Sequence, residues 1–168
     1  GLGDVYKRQG HPFMIRYPRG HGEGLPWRGE KFETLPVGRG RRLREGADVA
    51  LLTVGTVGNA AARAAGRAAA EGVSVAHYDL RFVKPLDEAL LDEVGRKFRR
   101  VVTVEDGSLR GGVGEAVAAF FNGRGYDVRV QRLGIGDEWV EHGTPGQLYA
   151  LCGYDEEGIL RALLDTRA

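Results

Sequence analysis

The sequence predicts a three-layer α/β/α domain built on a mostly parallel sheet. Short β-branched, apolar runs alternate with segments of helical composition after Leu35, and the strand-helix-strand order repeats three times. The runs are apolar throughout rather than alternating, as strands buried on both faces must be. Glycines collect at the ends of these runs, where sharp turns between strands and helices need them.

The elements follow in order. Val37 to Leu43 offers an edge strand, and Val49 to Val54 is the first buried strand. The alanine-rich segment Thr56 to Glu71 is a crossover helix leading to the strand Val73 to Tyr78. Leu86, Leu90, Leu91 and Val94 recur at helical spacing within Leu86 to Phe98, which leads to the strand Val101 to Val104. Glu115 to Phe121 is the third crossover, followed by the strand Val128 to Leu133. Two helices close the chain, Thr144 to Leu151 and Asp155 to Leu164, the latter with Asp155 as N-cap and Ile159, Leu160, Leu163 and Leu164 on one face.

Upstream, the pattern is different. Residues 1–9 match no periodic template and resemble translated adapter sequence, so they are expected to be a non-native segment and are set aside from the fold. Residues 10–34 hold one apolar run, Phe13-Met14-Ile15, read as a strand end followed by a linker; residues 35–168 are the domain.

Bulk properties exclude several classes. Lys and Arg number 24 against 23 Asp and Glu, a formal charge of +1, so no nucleic acid is demanded as a partner. Apolar stretches are broken well before the roughly 20 residues a membrane span needs. The single cysteine, Cys152, has no partner for an internal disulfide, and no leader pattern opens the chain, which favours a cytoplasmic setting.

Five groups of residues could carry chemistry. The stretch Gly107-Ser-Leu-Arg-Gly-Gly-Val-Gly114 follows a strand and opens a helix, so its amides could cradle an anion; it lacks the Lys-Ser/Thr of a Walker A loop and fits a dinucleotide fingerprint poorly, leaving a tight turn as the alternative. Arg16-Tyr-Pro-Arg19-Gly20 places two guanidinium groups after an apolar run, suited either to phosphate oxygens or to surface and interdomain ion pairs. Glu105 and Asp106 could bind a metal or act as bases; neighbours on a strand face opposite ways, so capping of the glycine loop is preferred. His142 lies beside Glu141 ahead of a helix and, with no nucleophile in sight, is read as structural. Cys152 sits near Leu148 and Leu151 without a basic neighbour, as a packed thiol does.

Taken together, Ile15-Arg-Tyr-Pro-Arg-Gly20, Tyr78-Asp-Leu-Arg-Phe-Val-Lys-Pro-Leu-Asp87, Val102-Thr-Val-Glu-Asp106 with Gly111-Gly-Val-Gly114, and Leu133-Gly-Ile-Gly-Asp-Glu-Trp-Val-Glu-His-Gly-Thr144 resemble the 1-deoxy-D-xylulose-5-phosphate synthase family, in order and spacing. The resemblance runs from Gly10 to the C-terminus. It implies that residues 10–34 are the end of a pyrimidine-binding domain and its linker, and that residues 35–168 are a transketolase C-terminal-type domain. It further implies an enzyme that condenses pyruvate with glyceraldehyde 3-phosphate, with loss of carbon dioxide, for isoprenoid, thiamine and pyridoxal synthesis. Thiamine diphosphate and Mg²⁺ carry that chemistry in a homodimer. Arg19 matches the family position that holds the substrate phosphate, with Arg16 and Tyr17 shaping the strand end.

The Gly-Asp-Gly and Asn-Asn elements that bind magnesium diphosphate in such enzymes do not occur here, where Asn59 and Asn122 are the two asparagines. The glutamate that activates the thiazolium belongs to upstream sequence as well. This chain is therefore expected to bind no cofactor or metal and to supply no catalytic residue, and to be inactive alone. Two other readings stay open: the C-terminal domain of a 2-oxo-acid dehydrogenase E1 β subunit, which shares the Val-x-Glu strand and glycine-rich helix start, and a stand-alone binding or assembly module.

Overall fold

Six-residue runs such as Val49–Val54, with no polar face to offer water, are stable only when both faces are covered, and this dictates a central strand. The computed structural model describes residues 12–17 and 34–165. The chain divides into two compact units, Gly1–Phe32 and Glu33–Ala168.

In the larger unit the strands are β1 (Arg41–Arg44), β2 (Val49–Val54), β3 (Val75–Asp79), β4 (Arg100–Ser108) and β5 (Arg129–Ile135). The helices are α1 (Val57–Ala70), α2 (Glu88–Lys97), α3 (Val113–Gly123), α4 (Pro145–Leu151) and α5 (Glu156–Leu164). The sheet order is β1-β3-β2-β4-β5, all parallel except β1, which runs antiparallel to β3.

The chain moves from β2 outward to β3, then crosses back over β2 to β4 and on to β5. Crossovers of a single hand that reverse direction must place their helices on opposite faces. Accordingly α1 and α5 bury Ala61, Ala64, Ala65, Ile159 and Leu163 against Val49, Leu51, Val75, Val102 and Val104. On the other face α2 and α3 bury Leu91, Val94, Val117 and Phe121 against Ala50, Leu52, Ala76, Tyr78 and Val101. The alanine-rich composition of α1 lets it lie close over the central strands.

The element boundaries differ from the sequence reading where side chains compete for backbone groups. The edge strand begins at Arg41, not Val37, because Gly38 takes a left-handed conformation (φ +70°) and the Gly40 amide is bound by Asp87 (3.0 Å). β4 continues past Val104 through a register irregularity to pair Ser108 with Ile135. α3 starts two residues early, at Val113, because a carboxylate satisfies its first amides. Residues 12–17 form no regular secondary structure, so the expected strand end at Phe13-Met14-Ile15 is corrected: these side chains are exposed, and three apolar residues with no face buried among the described residues gain too little to hold a strand.

Asp87 fastens one corner. Its carboxylate caps α2 by accepting from the Leu90 amide (3.1 Å) while also accepting from the Gly40 amide and from Arg39 (3.1 Å), so a single buried side chain joins the approach to β1 to the start of α2. Arg100 performs the corresponding task at the other end, donating to the Ala162 and Leu163 carbonyls at the end of α5. Replacing Asp87 by Ala removes three accepted hydrogen bonds and should lower stability by about 2 kcal/mol. Urea denaturation measures this; a change below about 0.5 kcal/mol would show that the tether contributes nothing.

Candidate functional site

In open α/β sheets the crevice at the carboxyl ends of the strands, where strand order reverses, is the place for ligands. Here that edge lies at the ends of β2 and β4, and the glycine-rich stretch Gly107–Gly114 turns there from β4 into α3.

The loop is built around Glu105. Its side chain is buried, and its two oxygens accept from the Val113 and Gly114 amides, each at 2.8 Å. A carboxylate therefore occupies the helix N-terminus, the position in which a phosphate loop would hold its anion. Glu115 reaches back to take the Gly111 amide at 3.0 Å. Glycine is required at 112, because a Cβ there would lie 2.2 Å from the Ser108 carbonyl oxygen and 2.6 Å from both Glu105 oxygens. The tight-turn reading of the loop is the one the geometry supports.

Asp106 points to the opposite face, as strand alternation requires. It accepts from the Tyr154 hydroxyl at 3.0 Å and the Tyr149 hydroxyl at 3.5 Å, drawing the α4–α5 junction to the end of β4. Burial, with the Asp106 carboxylate adding to it, pushes the Tyr154 hydroxyl above the ordinary tyrosine range and keeps it a donor. The adjacent acidic pair thus parts into two structural roles, and the metal or base reading is not supported. Among the described residues, no group of three or more His, Cys, Asp or Glu could hold a metal ion. With the amides at 111, 113 and 114 already bound to side chains, this edge does not fit a magnesium diphosphate.

Beside the loop lies an open depression of about 220 Å³, lined by Leu109, Arg110, Glu115, Arg132, Gly136 and Asp137. Its guanidinium groups are matched by carboxylates: Arg110 with Asp137 at 2.8 Å, and Arg132 with Glu115 at 3.6 Å.

The remaining sequence-selected residues are dispersed. Arg19 lies outside the described residues. Arg16 and Tyr17 are exposed, in a segment without regular secondary structure. His142 is exposed ahead of α4, so packing gives it no structural role within this unit. Cys152 is half-buried at the end of α4 and packs against the core beneath α1 and α5, as a packed thiol should. No helix among the described residues is long and apolar enough to cross a membrane.

Two further groups, Asp87 and His77, are placed by the structure alone. Asp87 carries no role in the sequence reading, although an acid directly before a helical run is a capping signal. His77 is buried inside an apolar strand, with Nε2 2.9 Å from the Thr53 hydroxyl. A polar residue interrupting a buried run was the available signal.

The comparisons with known proteins agree with this fold. Residues 38–159 match the family described as "Transketolase, C-terminal domain". The 1-deoxy-D-xylulose-5-phosphate synthase of Bacteroides fragilis is 54% identical over 157 residues, covering 93% of this chain and 24% of the relative. Its counterpart in Bacteroides thetaiotaomicron is 51% identical over 154 residues (91% and 24%), and that of Symbiobacterium thermophilum 43% over 148 residues (88% and 23%). The chain thus spans about a quarter of the length of these curated relatives. Among solved structures, one titled "Split gene transketolase, inactive beta4 tetramer" superposes with a TM-score of 0.72 at 34% identity, covering 77% of this chain and 42% of that one.

If Glu105 holds the loop, Glu105→Ala should cost about 2–3 kcal/mol by leaving two amides without an acceptor, and Glu105→Gln less. Gly112→Ala should cost about 3 kcal/mol through overpacking. Chemical denaturation of the three variants checks both; equal stability of Glu105→Ala and wild type would remove the carboxylate from the account.

Proposed function

The chain belongs to the transketolase C-terminal domain family, and on that premise we propose that it is the C-terminal part of a 1-deoxy-D-xylulose-5-phosphate synthase. The observation that carries this reading is the 54% identity to such a synthase over 93% of the chain. The other synthases matched, down to 41% identity, favour it over the dehydrogenase β subunit. The likeness in fold to a split transketolase is compatible with either.

On this reading the whole enzyme condenses pyruvate with glyceraldehyde 3-phosphate and releases carbon dioxide, as a soluble cytoplasmic homodimer. Thiamine diphosphate with Mg²⁺ supplies the electron sink for decarboxylation and is held by sequence beyond this chain. The domain division proposed is a non-native segment at 1–9, the end of the pyrimidine-binding domain with its linker at 10–34, and the C-terminal domain at 35–168. Engagement of Glu105, Asp106 and Asp87 with the chain's own backbone and hydroxyl groups supports a scaffolding role for that last domain.

Arg19 is the residue assigned to substrate. A guanidinium offers a fixed fork of donors to a phosphate dianion and stays charged throughout the working pH range, so it can orient glyceraldehyde 3-phosphate without taking part in proton transfer. His142 and Arg16 are given no step.

The test uses the chain restored to the full length of its relatives. That protein should form 1-deoxyxylulose 5-phosphate with stoichiometric release of carbon dioxide, and the chain alone should not; a restored protein that instead oxidises a 2-oxo acid with transfer to lipoamide would overturn the reading. In the active protein Arg19→Ala should raise KM for glyceraldehyde 3-phosphate at least tenfold, roughly 1.4 kcal/mol or more of binding, with little change for pyruvate. Equal effects on both substrates would remove Arg19 from the phosphate. His142→Ala should leave kcat within about threefold.

A further inference from the structure

His77 is a buried titratable group that the proposed function leaves unused. It sits in β3, 1% exposed, on the face that carries α1, paired in register with Leu51 of β2. Thr53 of β2 gives it a hydroxyl at 2.9 Å. β1 contributes Arg44, its Cα partner in the antiparallel ladder, and its own strand contributes Asp79. α1, packed on this face, buries only Val57 and alanines. Arg44 lies on the same side, its Nη1 3.9 Å from where a Cβ at Gly66 would stand.

β1 is the shortest strand of the sheet: four residues, all exposed, paired among the described residues with β3 alone. A proton on the His77 ring would put a second cation beside Arg44, under an apolar helix, with Asp79 as the acid that acts against it. Release of β1 carries Arg44 away and admits water to the ring.

We propose that His77 is an acid-sensitive latch, whose protonation frees the edge strand Arg41–Arg44 while β2 to β5 remain paired.

The direction follows from proton affinities. Burial, the largest cause, lowers His77 to about 4, with Arg44 acting in the same sense and Asp79 opposing. A solvated ring in the released form titrates near 6.5. The closed form therefore binds fewer protons, so the latch is fully held above about pH 6.5 and weakens as pH falls toward 4. The opening constant should rise about tenfold at pH 5.5 and about thirtyfold at pH 5 relative to neutral pH.

Hydrogen exchange on the full chain, corrected for the pH dependence of intrinsic exchange, reads this directly. Opening at residues 41–44 should increase from pH 7.5 to pH 5 while residues 101–104 in β4 stay protected. His77→Gln, which can keep a hydrogen bond to Thr53, should flatten the pH response; any slope left belongs to the carboxylates that pair with the β1 arginines. Arg44→Gln should weaken the response. An unchanged slope in His77→Gln, simultaneous loss of β1 and β4 protection, or a measured His77 pKa near 6.5 in the wild-type chain would each overturn the proposal, and the last needs no variant to fold.

Discussion

The carboxylate of Glu105 on the first amides of α3 is the contact on which the functional edge of this domain depends. It joins the end of β4, paired on both sides within the sheet, to the start of the helix that leads to the edge strand β5. Because both oxygens are used, neither the strand end nor the helix start can shift independently. The glycine loop between them is pulled so close that a side chain at 112 would overlap the Ser108 carbonyl. A loop with the look of an anion cradle is thereby closed by the protein's own anion.

The same economy recurs with the other acids. Asp106 draws two tyrosine hydroxyls from the far face, and Asp87 binds two backbone amides and an arginine across the opposite side of the sheet. Each stands at the end of a strand or the start of a helix, where backbone groups lack partners and one carboxylate can satisfy several at once. Acids spent in this way organise the edge of the sheet and are poor candidates for proton transfer.

Charge on the outer strand is handled in a related manner. β1 and its approach carry Arg39, Arg41 and Arg42, which by density alone could suggest a polyanion surface. They pair with Asp87, Asp79, and Glu45 together with Glu93, each from the same unit. These exposed pairs add modest stability, and they charge an open sheet edge that would otherwise invite another strand. Arg39, Arg41 and Arg42 of the basic run are thus matched at the sheet edge by carboxylates of the same unit.

Sequence alone determined the class of fold and the order of its elements, because uninterrupted apolar runs and alanine-rich crossovers can be buried in few other ways. It also determined the family resemblance, carried by ordered segments such as Arg81 to Asp87. Which face each acid serves was half legible: alternation along β4 separates Glu105 from Asp106, but only folding brings the α3 amides to one and Tyr154 to the other, across 8 and 48 residues respectively. The helix start at Val113, the late beginning of β1 and the burial of His77 against Thr53 were decided by tertiary structure. Each depends on which distant group reaches a backbone amide or a ring first, and that competition leaves no period or spacing in the sequence to read.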